Sequence, residues 1–276
     1  MITGISGFIG QSLESFLTEQ GYEVWGISRN ENTKDNIIQG DLMSRESTAE
    51  ALSKIPSPAT IIHTAALAHA TSKEPGNSYL EINTQITQNL LESIKDTAVK
   101  FIFLSSIAVY GNDGGNGIVL TSNKLAPSTE YGLSKLNCEN LIKCSTNLSY
   151  NILRLTPVFD DHVKVDIEKR VYFPGQKIFK FYLLPSPAYS FCHIDTLIKN
   201  IFTLVKDNST DCSIMNIADP DPYDQNNLAS EFPGIGIYFP GFLFIPVHKI
   251  LGLILNRFFY KVQCILGKIL KDNIYN

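Results

Sequence analysis

The chain opens Met1-Ile-Thr-Gly-Ile-Ser-Gly-Phe-Ile-Gly10, and this run limits the fold more than any other stretch. Gly4, Gly7 and Gly10 form G-x-x-G-x-x-G between a short apolar run and a helical pattern of Ile9, Leu13, Phe16 and Leu17. Glycine permits a tight strand-to-helix turn and a close backbone approach to phosphate. The helix N-terminus then adds unpaired N–H groups and a partial positive charge. With Tyr22-Glu-Val-Trp-Gly-Ile27 following as a second strand, the first ~30 residues read as a βαβ unit able to cradle a dinucleotide pyrophosphate. The glycine spacing alone is weak, since Gly-rich turns in other α/β proteins produce it too.

Further on, Tyr131-Gly-Leu-Ser-Lys135 places a phenol and an ammonium four residues apart, on one face of a helix. A phenol with a pKa of ~10 is a poor base at neutral pH, and a nearby ammonium favours the phenolate. An isolated pair of this kind is usually a surface tyrosine beside a solvated lysine. Here it follows Phe103-Leu-Ser-Ser-Ile-Ala-Val-Tyr-Gly111, an apolar strand ending in two hydroxyls.

Taken together, these motifs resemble the extended short-chain dehydrogenase/reductases, specifically the nucleotide-sugar epimerase/dehydratase family. The matching residues are Thr3-Gly-Ile-Ser-Gly-Phe-Ile-Gly10, Gly40-Asp-Leu42, His63-Thr-Ala-Ala66, Asn83, Ser105-Ser106 with Val109-Tyr-Gly111, and Tyr131 with Lys135; Ser190-Phe-Cys-His-Ile-Asp195 and Asn216-Ile-Ala-Asp219 follow. The resemblance implies a Rossmann-type doubly wound parallel sheet with a small, mainly C-terminal substrate lobe. It implies that Tyr131 takes a proton from a sugar hydroxyl, that Lys135 holds the nicotinamide ribose and lowers the tyrosine pKa, and that Ser106 hydrogen-bonds the reacting oxygen. Ser105 supports the strand end, and Asn83 is structural, behind the site. NAD(P) would be held by Gly4, Gly7, Phe8, Ile9, Gly10, Asp41, Leu42, Ala65, Ala66 and Pro157, with Tyr131 and Lys135. A homodimer built through two helices per subunit is implied as well.

Cofactor choice is read at the end of the second strand. An acid there binds the ribose 2′-OH, as in NAD-preferring proteins; this chain has Ser28-Arg29 instead. A guanidinium holds a phosphate bidentately, which places NADP slightly ahead of NAD. The alternatives for Arg29 are stacking on adenine or facing solvent.

A chain of 276 residues has room for one dinucleotide-binding domain, placed at 1–157, and a modest second lobe at 158–276 with some return to the core. Thr60-Ile-Ile-His63, Phe101-Ile-Phe-Leu104 and Asn151-Ile-Leu-Arg154 read as buried strands, and helical patterns lie near residues 8–20, 79–95 and 131–144. The segment from Gly111 to Glu130, with Asp113-Gly-Gly-Asn-Gly117, reads as a loop over the ligand site. Only Met1-Ile2 precede Thr3, which points to a truncated or alternatively started chain. The five cysteines show no metal spacing or disulfide framework, and the five histidines are scattered. The expectation is reduced thiols, no metal site, and a cytoplasmic protein without a secretory signal.

The second lobe departs from the family after the sixth strand, where the chain reads Thr156-Pro-Val-Phe-Asp-Asp-His162. Lys177, Lys180 and Tyr189 are candidates to reach a diphosphate, each equally readable as a solvated surface side chain. Residues 234–276 carry Lys249, Arg257, Lys261, Lys268 and Lys271 against Asp272, a charge of +4, which leaves −8 on residues 1–233. Apolar residues from Leu251 to Ile269 recur at helical spacing with cations on another face. That pattern fits a basic amphipathic helix over 245–271 at the inner face of an anionic membrane; packing on the substrate lobe or a dimer contact is the favoured alternative. The segment also resembles the C-terminal region of relatives that handle UDP-N-acetylhexosamines or their polyprenyl-diphosphate forms. Nucleic-acid binding has no support, because the acidic main body repels phosphate.

The leading expectation is an NAD(P)-dependent 4-epimerase or 4-keto reductase acting on a UDP-hexose or UDP-N-acetylhexosamine. A sugar dehydratase ranks third, since Ser106-Ile-Ala108 offers no acidic pair. The reading from a different class is a non-catalytic dinucleotide-binding or scaffold protein.

Overall fold

The structure, a computed structural model, describes residues 1–68, 78–94, 99–111, 118–146, 148–173, 175–240 and 274–275. These fall into two compact units: residues 1–113, 121–155 and 194–217 form the first, and residues 114–120, 156–193 and 218–276 the second.

The first unit alternates strand and helix: β1 (Ile2–Thr3), α1 (Phe8–Glu19), β2 (Gly26–Ser28), β3 (Ile37–Gln39), α2 (Arg45–Ser53), β4 (Thr60–His63), α3 (Tyr79–Ile94), β5 (Lys100–Ser106), α4 (Glu130–Cys144), β6 (Ser149–Leu155), α5 (Ile194–Lys206) and β7 (Ser213–Ile217). Among the described residues the strands make one seven-stranded sheet in the order β7-β6-β5-β4-β1-β2-β3. Every pairing in it is parallel. The order reverses at β1/β4, the crevice where ligands bind in open α/β sheets.

Burial explains the layers. Helix α3 buries Asn83, Ile86, Thr87, Leu90, Leu91 and Ile94, a stripe at three- and four-residue spacing. It packs with Ile61, Phe101, Phe103, Cys138, Ile142 and Ile152 into one core cluster. Helix α4 is different: its buried face carries Ser134, Lys135, Cys138, Glu139 and Ile142. Thr129 caps it, its hydroxyl accepting the Gly132 N–H at 3.1 Å, and satisfies an N–H that the first turn leaves unpaired.

The expected second strand at 22–27 is shorter and later, at 26–28. Tyr22 to Trp25 leave the ladder except through the Trp25 carbonyl, which accepts the Ile2 N–H at 2.7 Å. Gly26 is required there, since a Cβ would stand 2.4 Å from Ile5 Cδ1.

The second unit is built from short strand pairs, the longest joining Phe179–Leu184 in parallel with Ile235–Pro240. Its core holds Ile167, Val171, Tyr172, Tyr189, Phe191, Leu228 and Ala229. Among the described residues no helix is long and apolar enough to cross a membrane. The amphipathic pattern at 245–271 and residues 112–117 of the expected loop lie outside the described residues.

Candidate active site

The glycine turn joins β1 to α1 and leaves the carboxyl end of the central strand. Gly4 has φ +69°, and a Cβ there would lie 2.8 Å from both Cα and N of Ala65. Glycine is needed twice over, for the left-handed backbone and for the passage of the segment after β4. A Cβ on Gly10 would stand 2.3 Å from the Gly4 carbonyl oxygen, so helix and turn touch backbone to backbone. Gly7 is the N-cap of α1 and supplies no side-chain cap. The first N–H groups of the helix, from Phe8 to Gly10, therefore face the crevice end without a capping side chain, as an anion cradle requires.

A buried polar chain fixes this turn. The Ala65 N–H donates to Thr3 Oγ1 at 3.4 Å, and Thr3 Oγ1 lies 2.7 Å from His63 Nδ1. His63 Nε2 lies 3.0 Å from Thr87 Oγ1, which itself donates to the Asn83 carbonyl at 2.9 Å. Since the Thr87 proton is used on that carbonyl, Nε2 carries the imidazole hydrogen and Nδ1 accepts from Thr3, a tautomer assigned from these partners. Burial, with the Lys135 charge adding to it, pushes the His63 pKa down to about 3. His63 is thus a neutral, satisfied histidine in the core. Asn83 receives the Leu67 N–H at 2.7 Å and donates to Ser134 at 2.9 Å. It ties the segment after β4 to α4, behind the site.

Tyr131 and Lys135 fall one turn apart on α4, with the Lys135 ammonium 5.9 Å from the Tyr131 ring centroid. The Tyr79 ring meets the Tyr131 ring edge-on at 6.0 Å. Lys135 is buried and donates to the Leu104 carbonyl on β5 at 2.8 Å. Burial lowers its pKa to about 8, against the raising effect of Cys138 and Glu139. Ser106 ends β5 and accepts the Ala108 N–H at 3.2 Å, opening the 3-10 turn Ile107–Tyr110. That turn packs directly on α4: a Cβ on Gly132 would come within 2.4 Å of the Ala108 oxygen. The two-hydroxyl strand end and the Tyr-x-x-x-Lys helix are thereby brought side by side.

Ser28 is buried and its hydroxyl accepts the Asn30 N–H at 3.2 Å, while Arg29 is exposed. Asp41 is also exposed, its Oδ1 accepting the Met43 N–H at 3.0 Å in a local turn, and the Leu42 carbonyl accepts from Asn89 at 2.8 Å. Pro157 belongs to the second unit, where its carbonyl accepts the Cys192 N–H at 3.1 Å. The diphosphate candidates of the second lobe are otherwise engaged. Lys180 donates to the Ala229 and Phe232 carbonyls, both at 2.7 Å, closing the end of the helix Gln225–Glu231. Lys177 pairs with Glu168 at 2.6 Å, and Tyr189 is fully buried in the core.

One arrangement was not anticipated. Glu139, fully buried on α4, receives Ser105 Oγ at 2.7 Å, Arg154 Nε at 3.0 Å and Arg154 Nη2 at 2.8 Å. Arg154 also donates to Tyr110 at 2.9 Å, and Tyr110 to Asn216 at 2.7 Å. The available signal was Arg154 itself, a charged residue in an otherwise buried strand, which demands an anion.

A parallel sheet with a glycine-lined crevice and a helix that pairs a half-buried tyrosine with a buried lysine defines a dinucleotide-dependent oxidoreductase-type fold. A model of the NAD dependent epimerase/dehydratase family matches residues 1–173, and the chain belongs to that family, whose members are extended short-chain dehydrogenase/reductases that use NAD(P). The N-acetyl-alpha-D-glucosaminyl-diphospho-ditrans,octacis-undecaprenol 4-epimerase of Escherichia coli O157:H7 is 24% identical over 240 residues, which cover 84% of this chain and 70% of the relative. The UDP-glucose 4-epimerase of Streptococcus mutans serotype c is 31% identical over 156 residues, 52% of this chain and 46% of the relative. Among solved structures, UDP-glucuronic acid 4-epimerase from Bacillus cereus in complex with NAD superimposes with a TM-score of 0.67 at 21% identity, over 87% of this chain and 86% of that one. That likeness is one of fold.

Proposed function

We propose that the chain is a nucleotide-sugar 4-epimerase acting on a UDP-hexose or UDP-N-acetylhexosamine. The observation that carries this reading is the junction of the Ser105-Ser106 strand end with Tyr131 and Lys135, on a crevice whose glycines leave room for a dinucleotide. NAD(P), when bound against Gly4, Gly7, Phe8, Ile9, Gly10, Ala65 and Ala66, supplies the group that accepts and returns hydrogen at C4.

The protein's own residues handle the proton. Tyr131 withdraws it from the C4 hydroxyl and later returns it to the same oxygen. The Lys135 ammonium stabilises the phenolate and binds ribose hydroxyls. Ser106, oriented by the Ala108 N–H, donates its hydrogen bond to the reacting oxygen. Between the two proton transfers the 4-keto sugar turns over, exposing its other face.

A second reading, reduction of a 4-keto sugar with NADPH, is favoured by Arg29 standing where an acid would select NAD. The Escherichia coli relative's name extends the substrate class to N-acetylhexosamine on a polyprenyl diphosphate, and the basic pattern at 245–271 supports a membrane-surface encounter with such a lipid. The purified protein incubated with UDP-N-acetylglucosamine and UDP-glucose should release the 4-epimers on chromatography. Tyr131→Phe should bind NAD(P)H within ~2-fold of the wild type and lose at least ~100-fold in turnover. Full turnover by that variant would overturn the assignment of the base.

A further inference from the structure

Residues of β5 and α4 meet at two consecutive points. The Leu104 carbonyl accepts from Lys135, and the next residue, Ser105, donates its hydroxyl to Glu139. Lys135 and Glu139 are one helical turn apart, ~6 Å along the axis, whereas consecutive strand residues advance ~3.3 Å. Two bonds with such different spacings are satisfied together at one translation and one rotation of the helix on the strand. That setting is the one that seats Tyr131 beside the turn following Ser106.

We infer that Glu139, locked by Arg154, is a positioning residue that sets the register of α4 on β5 and so holds Tyr131 and Lys135 in working geometry. The inference rests on the tyrosine–lysine reading above.

Three features support it. The Glu139 carboxylate is saturated, receiving Ser105, Arg154 twice, and Lys143 at 3.3 Å, which fills its four acceptor directions. Arg154 in turn reaches Tyr110 and the Thr121 carbonyl at 3.2 Å, so the pair also ties the 3-10 turn and, through Tyr110, Asn216 on β7. Finally, a buried ion pair is a poor way to gain stability. Its desolvation cancels most of the attraction, and apolar residues of like volume often serve as well or better. Direction is what a bidentate pair supplies and a methionine cannot.

Lys135 also feels the pair electrically. The charged or titratable groups around it are Glu139 and Cys138 on its own helix, Tyr131 one turn back, and neutral His63 from β4. The Glu139 charge opposes the effect of burial and keeps the ammonium protonated.

The test compares Glu139→Gln with the double variant Glu139→Met, Arg154→Met, both as full-length protein. The double variant removes both charges together and leaves none unpaired. It should fold with a melting temperature within ~5 °C of the wild type. It should nonetheless bind NADPH and NADH at least ~10-fold more weakly, as loss of a well-placed charged contact produces, and turn over UDP-sugars ~100-fold more slowly. For Glu139→Gln, the fall in NADPH affinity with rising pH should set in below the wild-type limit near the Lys135 value, which measures the charge effect alone; the double variant, with both charges gone, isolates the positional one. A double variant that folds and binds both cofactors as the wild type does overturns the inference. So does a double variant that fails to fold, because the pair is then a stability element. If the wild type converts no sugar nucleotide, the epimerase reading fails, while the cofactor titrations still decide the role of Glu139.

Discussion

Acidification should cost the fold stability through His63, and the effect has a calculable size. His63 has a usual pKa of 6.5 and is held near 3 in the fold, by burial first and by the Lys135 charge second. Between these two values the unfolded chain binds a proton that the folded chain refuses. Stability therefore falls as pH falls: the contribution is complete above about 6.5 and is lost progressively toward 3. At 1.36 kcal/mol per pH unit, the loss from this residue alone is ~2 kcal/mol by pH 5 and ~5 kcal/mol by pH 3.

Both ring nitrogens are committed, Nδ1 as acceptor from Thr3 and Nε2 as donor to Thr87. Protonation would put a second donor against the Thr3 hydroxyl and force that hydroxyl to give up its present bond. The assay is the urea midpoint of the first unit's unfolding, measured from pH 7 to pH 5 for the wild type and His63→Gln. Glutamine has no titration in this range, so the difference between the two slopes isolates the imidazole, whatever constant offset the substitution brings. With a urea m-value of ~2–3 kcal/mol/M, the wild-type midpoint should drop ~0.7–1 M further than the variant's. NADPH affinity should not change through His63 over this range, since the folded protein keeps the imidazole neutral and Thr3 keeps its hold on the Ala65 N–H beside Gly4. Parallel midpoints for the two proteins over this range would refute the account of His63 as a desolvated neutral donor–acceptor.

Three further outcomes are expected. Gly4→Ala places a Cβ 2.8 Å from the Ala65 backbone at a positive φ; it should cost ~1–3 kcal/mol in a denaturation series and abolish measurable NADPH binding by fluorescence. Gly132→Ala drives a Cβ to 2.4 Å from the Ala108 oxygen; measured kcat should fall by a larger factor than cofactor affinity, because the pieces displaced first are the Tyr131 turn and the Ser106 turn, with Lys135 one turn further on. Arg29→Ala should weaken NADPH at least ~10-fold and leave NADH unchanged in direct titration if the guanidinium holds a 2′-phosphate; equal effects on both cofactors would instead mark Arg29 as an adenine-stacking residue.

Much of the first unit is legible in the sequence because its signals are local. The glycine turn reads directly, since Gly4 and Gly10 stand where any Cβ collides. The strands at 60–63, within 100–106 and within 149–155 are apolar runs, and α3 repeats its buried positions at helical spacing. Helix α4 is harder, because its buried face holds serine, lysine, cysteine and glutamate; its helical pattern at 131–144 is weak, and the Tyr131–Lys135 spacing marks it more sharply. Glu139 and Arg154 escaped for the same reason. Neither has a motif, and their partnership depends on a helix and a strand meeting in space. Lys180 was misread in the other direction. Read as a diphosphate candidate or a solvated surface side chain, it is buried and closes a helix end that the sequence does not show. Tyr189 lies inside the second unit's core, which the departures in that part of the chain concealed.

Polar groups inside the first unit are not scattered. Thr3, His63, Thr87 and Asn83 run from the glycine turn to α3, and Ser105, Glu139, Arg154 and Tyr110 run from the end of β5 to β6 and the 3-10 turn. Each chain is joined to α4, the first through Ser134 and Cys138 and the second through Glu139. Burying so many hydrogen-bonding groups gains little over an apolar core, and each omitted partner would cost ~1–3 kcal/mol. Their common property is position: the chains begin at the carboxyl ends of β1 and β5, where apolar contact would leave the backbone free to slide by fractions of an ångström. Directional bonds remove that freedom. A core in which these residues were replaced by well-packed apolar ones should therefore melt no earlier than the native protein, yet fail to hold the phenol, the ammonium and the phosphate cradle in one geometry. Local rule-breaking of this kind, gathered around α4, is what selection for function is expected to leave in a core.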